Sequence, residues 1–228
     1  FGNYKNTRDD PTVDGTTKLS PYMKFGCLSV REIFNKASQA FGYEHQLVKE
    51  LLWREFYAHL THHNQHILAG QIGKKNKPFQ IKYAGHRIWK DPKKKAEIKI
   101  QQEWIQRWKD GNTGFPFVDA GMRQLKATGW MHNRLRMVTA MFFTKDMMVD
   151  WRIGEQFFAR SLVDYDPASN NGGWQWCASI GADAAPYFRI FNPYRQSERF
   201  DPDCKFIKKW IPELNDVDNK DIHDWNKN

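Results

Sequence analysis

The chain has 228 residues, 40% hydrophobic and 27% charged, so it is long enough and apolar enough for one large globular domain. Its 35 Lys and Arg exceed its 26 Asp and Glu, and the net charge of +9 predicts a polyanionic partner, because basic side chains displace counterions condensed on phosphates. No stretch reaches the roughly 18 apolar residues of a membrane span, and three dispersed cysteines exclude a disulfide framework. We therefore expect a soluble cytoplasmic protein.

The first part of the chain predicts a loop followed by two helices. Residues 1–20 carry Gly, Asn, Asp, Pro and Thr without apolar periodicity, which is typical of a loop. Ser29 and Glu32 form a capping-box pattern that predicts a helix running to about Phe41. From residue 43 to about residue 66, apolar side chains recur every three or four positions, which predicts a long helix.

The second part predicts a basic connecting region followed by further helices. Residues 69–96 are rich in Lys and poor in periodicity, so we expect a solvated connection there. Helices are predicted over residues 97–109, 117–128, 130–148, 154–163 and 169–180. Gly111 and Gly129 stand where the first two of these helices would end. Because alternating β-branched runs are scarce, we predict an all-α fold and a single domain over residues 1–228.

The densest polar and aromatic cluster lies on the helix predicted over residues 130–148. Asn133, Arg136 and Met137 share one side of it, because three- and four-residue spacings coincide on a helix. An arginine on an otherwise apolar helix needs a buried acid or a planar anionic ligand. Asp164 and Asp166 are available as that acid, and the residues alone leave a structural ion pair and a ligand site both open.

Metal and phosphate motifs give little indication of chemistry. His59, His62, His63 and His66 offer i, i+4 pairs, but no HExxH is present, so we expect a solvated helix face and no metal site. Neither GxGxxG nor GxxxxGKS/T occurs, so a nucleotide would have to be held another way. These patterns alone predict a basic, aromatic-rich helical domain suited to nucleic acid.

Five segments together resemble the photolyase/cryptochrome family. They are TTKLS at 16–20, LWREFY at 52–57, WMHNRLRM at 130–137, NNGGWQW at 170–176 and DAAPYFRIFNP at 183–193. They occur in the family's order and look closest to the C-terminal helical FAD-binding domain of class I cyclobutane pyrimidine dimer photolyases. The family's N-terminal α/β antenna domain is absent from this chain, so we expect a fragment of a longer protein, and an antenna chromophore is unsupported.

The resemblance implies a U-shaped FAD, active as reduced FADH⁻, within the helices. The positions matching those that hold its phosphates and ribityl chain are Tyr4, Thr16, Thr17, Lys18, Leu19, Ser20 and Arg54. Asp164 and Asp166 match residues at the flavin ring edge, with Arg136 as their salt-bridge partner. Asn170 matches the side chain that faces flavin N5. An Asn there favours repair, since the matching residue is similar to an Asp in plant-type cryptochromes and a Cys in animal types.

The resemblance also implies an electron-transfer triad and a DNA-binding surface. Trp174, Trp151 and Trp89 match the triad that refills a photoexcited oxidised flavin. The positions matching the lesion pocket are Trp53 and Trp176, which pack against the flipped dimer, with Glu50, Asn133 and Met137 lining it. The positions matching DNA-backbone contacts are Arg8, Arg134, Arg189 and Gln196.

The function implied is light-driven repair of cyclobutane pyrimidine dimers by electron transfer from reduced FAD. Glu50, Asn170 and the three tryptophans of the triad are the catalytic residues under this interpretation. A monomer acting on dimer-containing DNA, without metal or membrane, is expected. The alternatives are a cryptochrome-type photoreceptor, a (6-4) photolyase and a non-enzymatic DNA-binding module. Met137 counts against the (6-4) class, whose members have a His around this position, because a thioether cannot perform acid–base chemistry.

Overall fold

The fold is helical throughout the part of the chain that the structure describes. The computed structural model describes residues 2–68, 90, 92–182, 186 and 188–223, and no strand occurs among these residues. This observation confirms the all-α prediction. Within the same residues, no helix combines the length and the apolar content needed to cross a bilayer.

Twelve α-helices are seen within these residues. They are α1 (Tyr4–Thr7), α2 (Ser20–Lys24), α3 (Val30–Phe41), α4 (Gln46–His63), α5 (Lys95–Asp110), α6 (Pro116–Thr128), α7 (Asn133–Met141), α8 (Trp151–Ser161), α9 (Pro167–Cys177), α10 (Pro193–Phe200), α11 (Lys205–Trp210) and α12 (Asn219–His223). Short 3₁₀ turns follow α4 and α11, at Gln65–Ile67 and Pro212–Leu214. A π-helical turn, Phe142–Asp146, continues α7.

The N-terminal region departs from its prediction in two places. Residues 1–20 are not loop alone, because the short helix α1 lies within them, anchored by the buried ring of Tyr4. Ser29 has the extended backbone of an N-cap before α3, but its side chain makes no capping hydrogen bond. Glu32 forms an ion pair with Lys36 instead, at 2.9 Å. The predicted capping box is therefore wrong in its hydrogen bonds, although the helix ends at Phe41 as predicted.

Helices α4 to α6 begin and end at residues with local capping chemistry. His45 caps α4 by accepting a hydrogen bond from the backbone N–H of Leu47 at 3.3 Å, so the helix begins three residues later than predicted. Gly111 and Gly129 adopt left-handed conformations after α5 and α6, with φ of 66° and 68°, which confirms both predicted ends. Residues 69–89 and 91 of the predicted connecting region 69–96 lie outside the described residues, and its last two residues, Lys95 and Ala96, belong to α5.

The helix predicted over 130–148 is shorter than expected and ends in a different geometry. His132 caps α7 by accepting from the backbone N–H of Arg134 at 3.2 Å, so Trp130 precedes the helix. The π-turn is closed by the backbone N–H of Met147 donating to the carbonyl of Phe142 at 3.0 Å. A π-turn adds a residue to the helical turn and is frequent beside functional sites.

The apolar residues form two clusters of unequal size. The large cluster is drawn from residues between Ile105 and Ile222, chiefly from α6, α7, α8, α9 and α11. A small second cluster joins α1, α3 and α4. Helix α4 packs against α9 and thereby connects the two clusters.

Helices α10 to α12 follow the last predicted element, and the sequence carries start signals for the first two of them. Asn192 caps α10 by accepting from the backbone N–H of Arg195 at 3.1 Å, and Pro193 follows it in the first turn. Asp201 caps α11 by accepting from the backbone N–H groups of Phe206 and Ile207, at 3.0 and 2.8 Å. An Asn-Pro pair and an Asp ahead of an apolar run are both recognisable helix starts.

Candidate functional site

Helices α4 and α9 approach closely because α9 carries a glycine at their contact. A Cβ added to Gly172 would lie 2.2 Å from Cδ1 of Tyr57 on α4, which is far inside van der Waals contact. The neighbouring Gly173 has no atom within 4 Å of such a Cβ. Of the two glycines, only Gly172 is needed for the backbone of α9 to approach α4. That approach sets the distance between α4 and α9, the two helices on either side of the site.

A buried acid and an arginine join α7 to the segment before α9. Arg136 donates two hydrogen bonds from Nη2 to Asp164, at 2.8 and 3.1 Å, and its Nε donates to the carbonyl of Met131 at 2.8 Å. The hydroxyl of Ser20, at the start of α2, donates to Oδ2 of Asp164 at 2.6 Å. The Asp164 side chain is 3% exposed and that of Arg136 is 26% exposed, so the arginine keeps a face available to a ligand.

A second acid and arginine lie next to the first pair. Nη2 of Arg54 on α4 lies 3.6 Å from Oδ2 of Asp166, which is an ion pair longer than a hydrogen bond. Asp166 also caps α9 by accepting from the backbone N–H of Ser169 at 2.8 Å. The two acids predicted from sequence therefore take different partners, Asp164 with Arg136 and Asp166 with Arg54.

The segment from Thr16 to Ser20 is suited to bind phosphate. Thr16 and Thr17 are half-buried, and neither their hydroxyls nor their backbone N–H groups have a hydrogen-bond partner among the described residues. Lys18 adopts a left-handed backbone with φ of 49°. Gly15 brings the segment against α1, since its Cβ would lie 2.7 Å from the carbonyl oxygen of Thr7. Unpaired N–H groups and hydroxyls can bind a pyrophosphate without a Gly-rich phosphate loop.

Asn170 on α9 is oriented by an acid on α8. Its Nδ2 donates to the side-chain Oε1 of Glu155 at 2.9 Å and to the backbone carbonyl of Glu155 at 3.2 Å. Burial raises the pKa of the Glu155 carboxyl, and the hydrogen bond from Asn170 offsets part of that rise. Because the amide nitrogen is occupied, the amide oxygen is the atom that Asn170 presents to a ligand.

Two of the three predicted tryptophans, Trp174 and Trp151, lie in the large apolar cluster. Trp174 and Trp151 are both 2% exposed. The Trp174 ring is 6.1 Å from that of Trp108, a fully buried residue of α5 that the sequence analysis did not single out. A Cβ on Gly154 of α8 would lie 2.1 Å from the Trp174 ring, so a glycine is needed for this indole to fit. Trp89 lies outside the described residues.

Glu50 on α4 lies in a network of polar side chains next to α1. Arg8 Nη1 and Gln46 Nε2 both donate to Oε1 of Glu50, the latter at 2.6 Å. Burial is the larger cause, and the negative charge of Glu50 the next, of a raised pKa for the Tyr4 phenol. Tyr4 is thus neutral at physiological pH and lies beside the carboxylate.

The residues matched to a lesion pocket differ in exposure. The Trp53 indole is 45% exposed and packs edge-on against Phe56 with ring centroids 5.6 Å apart, whereas Trp176 is half-buried. Nδ2 of Asn133 lies 3.8 Å from the Met137 sulfur, as expected for neighbours on one side of α7.

The residues matched to DNA-backbone contacts are not all free surface charges. Arg134 is 14% exposed, pairs with Asp9 at 2.8 Å and lies over the Phe200 ring, 4.2 Å from its centroid. Arg189 is exposed, and Oε1 of Gln196 is buried without a partner among the described residues. The backbone-contact roles of these residues therefore remain predictions.

Sequence reasoning missed three residues that shape the site. Gln46 bonds Glu50, Glu155 orients Asn170, and Asp9 pairs with Arg134. The i, i+4 spacing of Gln46 and Glu50 was readable from the helix period. The other two contacts join segments that only the folded chain brings together. Among the described residues, no group of three or more His, Cys, Asp or Glu side chains is arranged to hold a metal ion.

The donor set is one that fits a flavin dinucleotide. Unpaired hydroxyls and N–H groups suit its phosphates, and paired acids with partly exposed arginines suit its polar ring edge. The family described as "FAD binding domain of DNA photolyase" matches residues 47–228. The chain belongs to this family, and the predicted resemblance is confirmed.

Curated relatives and solved structures agree with that assignment. The deoxyribodipyrimidine photo-lyase of Alkalihalophilus pseudofirmus is 47% identical, over 97% of this chain and 43% of that protein. The protein of the same name from Escherichia coli is 45% identical, over 98% of this chain and 45% of its own. The chain therefore spans less than half the length of these relatives.

The fold likeness extends to photolyases and to a cryptochrome. A class III photolyase from Agrobacterium tumefaciens superposes with a TM-score of 0.84 and 38% identity, over 99% of this chain and 44% of its own. A Synechocystis cryptochrome superposes with a TM-score of 0.80 and 36% identity, over 97% of this chain and 44% of its own. An archaeal photolyase from Sulfolobus tokodaii, solved with two FAD molecules, superposes with a TM-score of 0.79 and 40% identity, over 97% of this chain and 46% of its own. These likenesses confirm the helical FAD-binding domain, and they do not separate repair from photoreception.

Proposed function

We propose that this chain binds FAD and repairs cyclobutane pyrimidine dimers in DNA under light. When bound, reduced FAD supplies the light absorption and the single electron that opens the cyclobutane ring. The chain's own residues bind that cofactor, orient it and receive the two linked pyrimidines of the damaged strand. No side chain is needed as a nucleophile, so the protein contributes binding, orientation and exclusion of water.

The observation that carries this proposal is the orientation of Asn170. Glu155 holds its amide nitrogen, so a neutral oxygen is presented at the position that the family resemblance assigns to flavin N5. A neutral acceptor there can bind a protonated N5 without repelling the negative charge of the reduced ring. An acid at the same place would favour a different redox state.

The remaining side chains support the same assignment. Thr16, Thr17 and their N–H groups would hold the phosphates, while Arg136 and Arg54 would balance charge at the ring edge. The exposed face of Trp53 offers a flat apolar surface on which a swung-out pyrimidine dimer can stack. Trp174 and Trp151 would carry an electron inward to restore the reduced cofactor after oxidation.

The charge of the chain supports DNA as the partner. The net charge of +9 and the basic side chains of α10 and α11 suit a polyphosphate backbone. The three cysteines, Cys27, Cys177 and Cys204, are unpaired, which suits a protein acting in the reducing cytoplasm.

A cryptochrome-type photoreceptor is the second candidate. The likeness to the Synechocystis cryptochrome favours it, as do the buried tryptophans, which such a receptor would use to reduce light-excited flavin. The two candidates differ in one outcome, because only repair removes the dimer from DNA.

The deciding experiment illuminates the reduced, FAD-loaded chain with an oligonucleotide carrying one thymine dimer. We expect the dimer to disappear in light and to persist in the dark, measured by chromatography of the digested strand. The same strand carrying a (6-4) photoproduct should stay unchanged. A flavin-loaded sample that undergoes photoreduction but removes no dimer would favour the photoreceptor, and a chain that takes up no FAD would refute both candidates.

A further inference from the structure

One carboxylate in the site has its two oxygens in different environments. Oε1 of Glu50 accepts from two donors, Nη1 of Arg8 and Nε2 of Gln46, the second at 2.6 Å. Oε2 accepts from none of the described residues, and the Glu50 side chain is 30% exposed. The carboxylate is therefore held on one side and open on the other.

The two donors come from different parts of the chain and restrain different motions. Gln46 lies one turn before Glu50 on α4, so its side chain runs along the helix surface and reaches the carboxylate from the N-terminal side. Arg8 directly follows α1 and brings a positive charge from outside the helix. Together they fix the carboxyl plane, which a single donor on a flexible side chain would leave free to rotate.

We propose that Gln46 and Arg8 are positioning residues that keep Oε2 of Glu50 aimed at the imide N–H edge of the damaged pyrimidines. This inference rests on the proposed function, because it needs a swung-out pyrimidine pair in the site. An ionised carboxylate oxygen accepts hydrogen bonds only, so it suits the N–H edge of thymine and rejects a carbonyl placed there. Holding the oxygen in place before DNA arrives reduces the entropy lost on binding.

Arg8 also connects two parts of substrate recognition. Its guanidinium has five N–H groups in a fixed plane, and Glu50 accepts one of them. Its Nε lies 3.7 Å from Oδ1 of Asp9, which leaves Nη2 as the nitrogen available to a DNA phosphate, the partner that the family resemblance assigns to Arg8. Arg8 would then take part both in lesion recognition, through Glu50, and in contact with the DNA backbone, whereas Gln46 acts through Glu50 alone.

The test measures how well variants of the full, FAD-loaded chain distinguish damaged from undamaged DNA. The probes are an oligonucleotide with one thymine dimer and the same strand without it. We expect Gln46→Ala to weaken binding of the damaged strand about five-fold, as for loss of one ordinary hydrogen bond, and to leave binding of the undamaged strand unchanged. Gln46→Lys, which restores an N–H donor within reach, should recover the difference.

A matched control separates positioning from helix stability. Gln106 on α5 makes the same i, i+4 bond, from its Nε2 to Oδ2 of Asp110 at 2.8 Å, and lies outside the site. Gln106→Ala should leave both affinities unchanged. In a Glu50→Ala background, Gln46→Ala should have no further effect, because its only role is to hold Glu50.

Each outcome bears on a different claim. A loss with Gln46→Ala that persists in the Glu50→Ala background, or that is equal on both strands, would refute the positioning role. The absence of any loss would refute it as well. If Glu50→Ala itself leaves the preference for the damaged strand intact, or the unaltered chain has none, then the proposed lesion site fails instead.

Discussion

The two ends of the molecule are built on different physical principles. Residues from α5 to α12 form one continuous apolar cluster, with Trp108, Phe143 and Leu135 fully buried. The region from α1 to α4 buries only a few apolar side chains and leaves several large ones exposed, namely Tyr22, Phe25, Leu28, Phe41 and Tyr43. Burial of apolar surface holds the C-terminal part together, whereas the N-terminal part depends on how it attaches.

Polar contacts contribute to the attachment and coincide with the candidate site. Ser20 bonds Asp164, Arg54 pairs with Asp166, and Asp9 pairs with Arg134. Tyr57 against Gly172 adds an apolar contact, which we call the apolar seam, between α4 and α9. A ligand that binds across this boundary would therefore stabilise the weaker region most, since it adds contacts where the chain itself supplies few.

The largest expected effect comes from breaking the buried ion pair at the boundary. Arg136→Met leaves Asp164 with Ser20 as its remaining side-chain partner among the described residues, and the acid is almost fully buried. We expect a loss of about 3–4 kcal/mol in the free energy of unfolding, toward the lower end for a broken buried pair because Arg136 is partly exposed. Urea denaturation, with and without FAD, measures the loss.

Arg123 offers a matched control for that substitution. It too bonds a backbone carbonyl through Nε, that of Gly111 at 3.1 Å, and it pairs through Nη1 with Glu213 at 2.7 Å. Because Glu213 is exposed, Arg123→Met should cause a much smaller loss. Equal losses in the two variants would contradict the view that the boundary pair is special.

The next effect is a dependence of stability on pH, centred on His132. Burial lowers the pKa of this imidazole from its ordinary 6.5 to about 4, so the folded chain keeps it neutral. Its contribution is fully present above pH 6.5 and is lost as the pH falls toward 4, where the loss approaches about 3 kcal/mol. Denaturation midpoints measured between pH 4 and pH 7.5 test this direction.

His132→Asn sharpens the result, because an asparagine retains a capping oxygen for the backbone N–H of Arg134 but does not titrate. The variant should show a flatter pH profile between 4 and 6.5. A profile as steep as that of the unaltered chain would mean that other groups, and not the cap of α7, make the boundary acid-sensitive.

The smallest effect tests the apolar seam. Gly172→Ala should lower stability by about 1–3 kcal/mol, because the new methyl group overlaps the Tyr57 ring and the two helices must separate. Gly173→Ala, one residue away in open space, should be neutral or slightly stabilising, since alanine favours helix. If both variants unfold alike, the seam does not determine the spacing of α4 and α9.

Local chemistry made much of the fold readable from sequence. The glycines after α5 and α6 end those helices because a left-handed residue is favourable only without a Cβ, which is a property of single positions. The predicted start of α7 was wrong because Trp130 continues the apolar pattern. The helix begins only after His132, and histidine is not among the residues that commonly cap a helix start. Periodicity cannot distinguish a residue just before a helix from one inside it.

The site was less readable, because its contacts join distant segments. Arg136 was expected to find an acid, but its choice of Asp164 over Asp166 depends on where α9 begins. The hydrogen bond from Ser20 to Asp164 joins residues 144 positions apart, and no pattern in the sequence around either residue predicts it. Family resemblance supplied the residue set, and only the folded chain supplied the pairings.

The fit of the Trp174 ring over Gly154 limits how this domain can change through descent. Any side chain at position 154 meets the indole, with atoms of that ring 2.1, 2.5 and 2.9 Å from a first methyl group. A lineage can therefore enlarge position 154 only after a smaller residue has replaced the tryptophan. The order of mutations is thus fixed, and the intermediate would have lost the buried indole of Trp174.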